Sequence, residues 1–319
     1  MNEFSIILPI LHCPNCCQKL KIDENLLHCL NCQAEYNNND GILDLLTKNE
    51  SKFRKIEQNF WDYKYKNVTA DFSDNRTFYF HDHFRRPLIN LPNGSLILEL
   101  GCGTRADSME IAKSGKVSIA TDISIQALRN ARDLAGKYGV LNRMKFILAE
   151  AEKLPFADNS FDGAMMAASF HHLENPAIGL QEMKRVVKNN GYIILGVEPA
   201  SWPYKTIFKF LKPLKKYIRN KRQRGVDSIA DDQTPGFNKK SLRKLFSQQG
   251  LEILEIKPIK FTLEFYDSYL RLKHRLAGRE PKPSKKLQRF YNGVDKLLLS
   301  TPGFKQFPWH WNLISRVKK

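Results

Sequence analysis

Short apolar runs alternate with segments of helical period through the middle of the chain, from residue 93 to residue 198. Residues 124–138 and 176–188 are two of these helical segments. Short β-rich runs separated by helices are typical of βαβ units around a parallel sheet. The pattern therefore predicts a doubly wound α/β fold. Its predicted strands are 95–100 (SLILEL), 116–121 (KVSIAT), 144–149 (MKFILA), 161–168 (FDGAMMAA) and 191–197 (GYIILGV).

The chain continues after the fifth strand with further predicted elements. Residues 241–249 predict a helix that ends at Gly250, because glycine readily adopts the left-handed conformation found just after helices. Residues 251–259 (LEILEIKPI) predict a strand, and the alternating residues 310–317 (HWNLISRV) predict a final edge strand.

Three further regions complete the predicted organisation. Residues 1–48 contain most of the cysteines, and residues 49–92 are polar and aromatic and predict a helical connector. Residues 93–319 are predicted to form the α/β domain, interrupted by two basic and aromatic helical inserts at 201–237 and 262–305.

The cysteines follow a metal-binding spacing. Five of the six lie between residues 13 and 32, and they include two CxxC pairs, Cys13 with Cys16 and Cys29 with Cys32. Paired CxxC turns are typical of a zinc ribbon, in which four thiolates close a tetrahedral site. The sequence therefore predicts a structural zinc ion bound by these four residues, with Cys17 as the remaining sulfur. Clustered thiols of this kind favour a reducing compartment, and we expect a cytoplasmic protein.

Positive charge is concentrated in the last third of the chain. After residue 200 there are 28 basic and nine acidic side chains, an excess of +19, whereas the first 200 residues are balanced. This asymmetry favours an anionic partner such as nucleic acid, a phospholipid surface or a phosphorylated substrate. A solvated basic surface is the alternative. No apolar stretch approaches the roughly 20 residues that a spanning helix needs.

A glycine motif follows the first predicted strand. Residues 98–104 (LELGCGT) lead from strand to predicted helix, and Asp122 stands at the end of the next strand. Glycines permit a tight turn and a close approach of the backbone to a ligand, and the carboxylate can accept ribose hydroxyls. The motif also fits the G-x-G-x-x-A pattern of dinucleotide-binding folds, so a dehydrogenase is an alternative at this point.

Further blocks make the resemblance specific. Glu99 stands two residues before the first glycine, and TDIS (121–124), AEAEKLPF (149–156), NSFD (159–162) and FHHL (170–173) follow. Over residues 93–198 the chain resembles class I S-adenosylmethionine-dependent methyltransferases of the ubiquinone-biosynthesis type. An acid at position 99 suits the cationic methionine end of S-adenosylmethionine better than a pyrophosphate.

The resemblance implies roles for individual residues. Glu99, Gly101 and Gly103 would surround the methionine and ribose, Asp122 would bind the ribose hydroxyls, and Glu150 and Ala151 would border the adenine. Connectors before the first strand of this fold often form a lid, which is the role expected for residues 49–92.

Two positions carry separate expectations. Arg105 departs from the family pattern, which usually has a third glycine there, and this would affect cofactor affinity. Asp162, at the start of its strand, is expected to be structural.

Catalysis requires few residues, because a methyl group on sulfonium is already activated. A poorly nucleophilic acceptor also needs a general base. His171 and His172 follow the fourth strand at the carboxyl edge of the sheet, and either is a candidate base. The alternative is that they only pack or cap the next helix. His81 and His83 in the connector are less favoured candidates.

Residues 203–224 form a basic segment with an apolar stripe at helical spacing, interrupted by Pro213. Such a segment is typical of peripheral contact with an anionic membrane, or of a lid packed on the core.

Three function classes follow. The first is a methyltransferase for a small-molecule or lipid-linked acceptor. The second is an RNA methyltransferase, since a four-cysteine ribbon on this fold resembles certain ribosomal-RNA guanine methyltransferases, although no Asn-Pro-Pro-Tyr type sequence follows the fourth strand. The third is a catalytically silent binding module.

Overall fold

The fold is described by a computed structural model for residues 4–23, 26–47, 51–66, 80–104, 107–206, 228, 236–276 and 284–319. Arg105 and residues 207–224 of the predicted basic segment lie outside these residues. Among the described residues, no helix combines the length and the hydropathy needed to cross a membrane.

Eleven strands form one mixed sheet in the order β1-β2-β3-β4-β7-β6-β5-β8-β9-β11-β10. The six strands from β4 to β9 in this order are parallel to their neighbours, and the outer pairs are antiparallel. The strands are β1 Leu20–Asp23, β2 Leu26–Cys29, β3 Glu35–Asn39, β4 Ile42–Asp44, β5 Leu96–Leu100, β6 Val117–Asp122, β7 Met144–Leu148, β8 Phe161–Ala167, β9 Val187–Pro199, β10 Leu251–Ile259 and β11 His310–Val317.

Helices alternate with the central strands, as the sequence pattern predicts, and this confirms the predicted α/β fold class. Ser124 begins one of them by accepting the N–H of Ala127, and Asn175 begins the next in the same way with Pro176 at its first position. The helices are α1 Lys52–Lys66, α2 Phe80–Ile89, α3 Ser108–Lys113, α4 Ile125–Lys137, α5 Pro176–Val186, α6 Ser201–Lys205, α7 Lys239–Gln248, α8 Thr262–Leu276 and α9 Lys285–Leu298.

The parallel strands are buried on both faces, which explains their nearly continuous apolar sequence. Every residue of β7 is buried, as are five of the six residues of β6. Helix α4 packs Leu128 and Leu134 against one face of the sheet. Helix α2 packs Phe84 and Leu88 against strand residues of a second core group. The carboxyl ends of the parallel strands therefore meet at one well-supported edge.

The cysteine-bearing region is joined to this sheet. Strand β3 pairs with β4, and β4 pairs in parallel with β7. Upstream of it, Leu11 forms a bridge with Phe156, and the N–H of His12 donates to the carbonyl of Pro155. The N-terminal region thus contacts and stabilises the loop that follows β7.

The prediction of an edge strand at 310–317 is half wrong. The strand exists, but β11 lies between β9 and β10, and β10 forms the edge. The polar residues of β11 predict an exposed strand, yet Asn312 and Ser315 are buried and hydrogen-bonded. Asn312 accepts the N–H of Val197 and donates to the carbonyl of Phe80, while Ser315 donates to the carbonyl of Ile193. Polar residues that are satisfied in this way can occupy an internal strand.

Candidate cofactor site and histidine pair

The glycine loop leaves β5 with two residues in the left-handed region. Gly101 has φ +62° and Gly103 has φ +59°. A Cβ on Gly101 would lie 2.7 Å from the Cβ of Ser169, and one on Gly103 would lie 3.1 Å from the Oη of Tyr65. Both positions therefore require glycine for conformation, and Gly101 also requires it for space.

Glu99 lies near the end of β5, and its side chain is buried behind the loop. One carboxylate oxygen accepts the N–H of Asp107 and the other accepts the N–H of Ser108, each at 2.9 Å. Burial, together with the neighbouring Asp107 carboxylate, raises the pKa of Glu99 to about 8. Glu99 thus ties the end of the glycine loop to the start of α3.

Asp122 lies at the end of β6, next to the same loop. Its Oδ2 accepts the N–H of Gly103 at 2.8 Å, and its Oδ1 accepts the N–H of Ser124 at 2.9 Å. Burial raises the pKa of Asp122 to about 6. The structure therefore brings Asp122 and the glycine motif together, although 19 residues separate Asp122 from Gly103.

The third strand end completes this edge. The N–H of Ala149 donates to the carbonyl of Asp122, so Glu150 and Ala151 begin their loop beside the second strand. Ala151 packs on the main core, whereas the carboxylate of Glu150 accepts from the guanidinium of Arg54 at 2.6 Å. The structure thus aligns Glu99, Asp122 and Glu150 at the ends of three adjacent strands.

Helix α1 contacts the loops of this edge. Asp62 accepts from the hydroxyl of Ser124 at 2.5 Å, and the carbonyl of Tyr65 accepts from the side chain of Asn130 at 3.0 Å. Sequence reasoning anticipated a lid but missed these contacts. The spacing of Glu57, Trp61 and Tyr65 by four residues, which places them on one helical face, is the signal that was available.

His171 is held by a buried carboxylate. Its Nδ1 lies 3.0 Å from Oε2 of Glu198, near the carboxyl end of β9. The same carboxylate accepts the backbone N–H groups of Ser169, Phe170 and His171 at 3.0–3.2 Å. Since Glu198 is an acceptor, Nδ1 carries the proton and Nε2 is left with a lone pair. Within the described part of the chain, Nε2 has no hydrogen-bond partner.

Glu198 is the residue that sequence reasoning missed. It directly follows the apolar run 191–197, so an acid at the end of a buried strand was visible as a signal. Because that side chain is completely buried, its charge requires compensation, which the turn that carries His171 supplies.

His172 has different surroundings. Its Nδ1 lies 3.4 Å from a carboxylate oxygen of Glu57 on α1, and its ring meets that of Trp61 edge-on at 5.0 Å. The rings of His171 and His172 are 4.1 Å apart. The two candidate histidines are therefore adjacent. His171 is hydrogen-bonded to the sheet, and His172 contacts helix α1.

The side chains of His81, His83 and Asp162, which the sequence analysis also considers, form ion pairs or hydrogen bonds within the fold. His81 contacts Asp107 at 2.8 Å, and His83 contacts the carboxylate of Glu255 at 3.0 Å. Asp162 accepts the N–H of Leu96 at the start of β5, at the opposite edge of the sheet from the glycine loop.

The cysteine pairs converge on one point. The Sγ atoms of Cys13 and Cys32 are 3.5 Å apart, and those of Cys16 and Cys29 are 3.3 Å apart. All four sulfurs lie within 4.8 Å of one another. A zinc ion with Zn–S bonds of about 2.3 Å needs sulfurs separated by about 3.8 Å, so this donor set fits a tetrahedral thiolate site. Cys17 is exposed and is not part of the group.

Residues 98–195 match the methyltransferase domain family. The chain is 33% identical over 133 residues to a demethylmenaquinone methyltransferase of Corynebacterium efficiens, covering 42% of this chain and 53% of that protein. It is 32% identical over 124 residues to the ubiquinone/menaquinone biosynthesis C-methyltransferase UbiE of Coxiella burnetii, covering 37% and 49% respectively. The chain thus spans about half the length of these curated relatives.

These matches confirm the predicted resemblance to ubiquinone-biosynthesis methyltransferases, in preference to a dehydrogenase. The fold is also similar to the crystal structure of the cyclase SpnF, with a TM-score of 0.54 and 16% identity, covering 83% of this chain and 96% of that one. At this identity the likeness shows the fold alone.

The packing of the glycine loop predicts a difference between two glycine substitutions. Gly139→Ala should cost about 1–2 kcal/mol, because Gly139 has φ +70° but no atom within 4 Å of an added Cβ. Gly101→Ala should cost about 1–3 kcal/mol more, because of the contact with Ser169. Chemical denaturation measures both. Adding Ser169→Gly should recover the additional cost, and equal costs for the two alanine variants would contradict the packing.

Proposed function

We propose that this protein is an S-adenosylmethionine-dependent methyltransferase that acts on a small-molecule or lipid-linked acceptor. The position of Asp122 carries the proposal. Its two carboxylate oxygens each accept one backbone N–H, which leaves a lone pair on each oxygen. Two lone pairs at the end of the second strand suit the two adjacent hydroxyls of a ribose. When bound, S-adenosylmethionine supplies an activated methyl group.

The remaining cofactor contacts follow from the same edge. The backbone at Gly101 and Gly103 allows close approach of the ribose and methionine portion, and Glu99 supports this loop from behind by accepting the N–H groups of Asp107 and Ser108. Glu150 and Ala151 border the adenine. Arg54, which pairs with Glu150, would then fix that border to the lid helix α1.

The acceptor that we propose is a quinone-type ring, since both relatives are named for menaquinone or ubiquinone biosynthesis. Carbon methylation of a reduced quinone requires removal of a proton, because the neutral ring is a weak nucleophile. His171 would take this proton at Nε2 while Glu198 holds the proton on Nδ1 and orients the ring. His172 remains the alternative base, with Glu57 as its partner.

The four-cysteine group would hold zinc as a structural ion. Four thiolates fill the tetrahedral shell and leave no open position for catalysis. The N-terminal region contacts the loop after β7 through Leu11 and His12, so zinc would stabilise one border of the cofactor site.

An RNA methyltransferase is the second candidate. The +19 excess after residue 200 favours it, because phosphate contacts dominate nucleic-acid affinity. The two candidate functions differ in the acceptor. The assay offers labelled S-adenosylmethionine with reduced demethylmenaquinone in detergent and, separately, with ribosomal RNA, and measures methyl transfer to each. Methylation of RNA alone would favour the second candidate, and methylation of neither with no cofactor binding would contradict a methyltransferase.

Cofactor binding should depend on Asp122 and on pH. Asp122→Ala should weaken binding of S-adenosylhomocysteine by about 1–3 kcal/mol. Ribose hydroxyls favour the ionised carboxylate, so binding should release a proton and affinity should fall as pH drops below about 6. Calorimetry between pH 5 and pH 8, chosen as roughly 1–2 units on either side of that pKa, measures both effects. The variant should lose the pH dependence, and an unchanged profile would count against this role.

Methyl transfer should distinguish the two histidines. His171→Ala should slow transfer to reduced demethylmenaquinone by about 10²-fold or more without changing cofactor affinity. Glu198→Asp, which keeps the charge, should be slower than the parent and show an altered pH–rate profile. His83→Ala serves as a control outside the site. A larger loss with His172→Ala than with His171→Ala would transfer the role to His172.

Zinc content should follow the four converging cysteines. Protein purified without chelator should contain about one zinc per chain. Cys29→Ser should lose the metal because it removes a ligand, whereas Cys17→Ser should retain it. Mass-spectrometric metal analysis provides the measurement. Wild-type protein without zinc, or zinc lost equally in both variants, would be incompatible with this site.

A further inference from the structure

The helical hairpin formed by α8 and α9 presents large apolar side chains to solvent. Phe290 and Leu297 on α9 are 63% and 70% exposed, and Phe265 and Tyr269 on α8 are 50% and 59% exposed. Single exposed apolar residues are ordinary, but a group of this size marks an interaction surface.

On α9 the exposed apolar residues share one face. Leu287, Phe290 and Leu297 are exposed, and Val294 between them is half-buried. The four follow one another at intervals of three and four residues, which places them in one stripe along the helix. We call these four residues the α9 stripe. Lys286, Arg289 and Lys296 each precede a member of the stripe or adjoin it, and all three are exposed.

A group of aromatic rings extends this surface toward the candidate site. The ring of Phe265 contacts that of Trp309 at 5.4 Å, and Trp309 contacts Trp202 at 5.5 Å. Trp202 lies only four residues after Glu198, so the rings reach the carboxyl end of β9. The aromatic cluster comprises Trp202, Phe261, Phe265, Phe304, Phe307 and Trp309.

The acidic residues of the hairpin are used internally. Asp295 is buried and accepts the N–H groups of Phe261, Thr262 and Leu263 at the start of α8. Glu264 and Asp267 both accept from Lys260. Within the described residues from 260 to 319, the outward charge of the hairpin is therefore positive.

We infer that the α9 stripe and the aromatic cluster dock on an anionic lipid bilayer. Apolar and aromatic side chains enter the interfacial layer, and the flanking Lys and Arg bind lipid phosphates. RNA would gain little from burial of Leu287 and Leu297, and two copies of this face would repel each other. The inference deepens the proposed function and rests on it for its purpose, because a docked hairpin places the carboxyl end of β9 near a lipid-linked acceptor.

Sedimentation with vesicles tests docking without reference to catalysis, so its failure is distinct from failure of the methyltransferase proposal. The full chain should sediment with an equal mixture of phosphatidylglycerol and phosphatidylcholine, and at least fivefold less with phosphatidylcholine alone. Phe290→Gln with Leu297→Gln should lower the bound fraction at least fivefold. Ile6→Gln with Ile178→Gln is the matched control, since both residues are exposed elsewhere.

Charge variants provide the second comparison. Gln at Lys286, Arg289 and Lys296 should weaken binding to the anionic vesicles at least threefold. The same change at Arg129, Lys137 and Lys153, which are exposed on the sheet domain, should leave it within a factor of about 1.5. The two sets remove equal charge, so the difference reports position rather than net charge.

A fluorescent reporter covers the case in which a variant folds poorly. In Phe290→Trp, brominated acyl chains of anionic vesicles should quench more emission than in the parent chain, whose own Trp202 and Trp309 lie in the aromatic cluster, whereas Ile6→Trp should add no quenching beyond that of the parent. Equal vesicle binding by the stripe variant and its control would overturn the inference. So would RNA binding without vesicle binding, or self-association abolished by the stripe substitutions.

Discussion

Three buried carboxylates at the carboxyl edge of the parallel sheet impose the main constraint on this structure. Glu99, Asp122 and Glu198 are all shielded from water, and a buried carboxylate is costly unless donors surround it. In each case the donors are backbone N–H groups of a loop at that edge. The loops therefore take the conformations in which their N–H groups reach the carboxylates. These hydrogen bonds fix the shape of the candidate site.

The position of helix α1 depends on the same edge. Helix α1 lies over the strand ends because its polar groups pair with the loops below it, through Arg54 with Glu150 and through Asp62 with Ser124. His172 then stands between the lid and His171. Movement of α1 would thus change the surroundings of both histidines.

Two outer parts support this centre in different ways. The N-terminal region joins the sheet through β4 and contacts the loop after β7, so the four-cysteine group is linked to the loop that begins with Glu150 and Ala151. At the other end of the sheet, Trp202 links the end of β9 to the aromatic cluster beside α8. One part brings four cysteine side chains together, and the other exposes apolar and basic side chains.

The sequence by itself determined the α/β fold class, the central strands, the converging cysteines and the glycine motif with Asp122. These features are local in sequence, since apolar periodicity, CxxC spacing and glycine turns are each contained in short stretches. Tertiary structure alone decided that β11 lies inside the sheet, that Glu198 holds His171, and that Glu57 reaches His172. These pairings join residues 27 to over 100 positions apart, and buried polar groups choose such partners only when the strands and loops have packed.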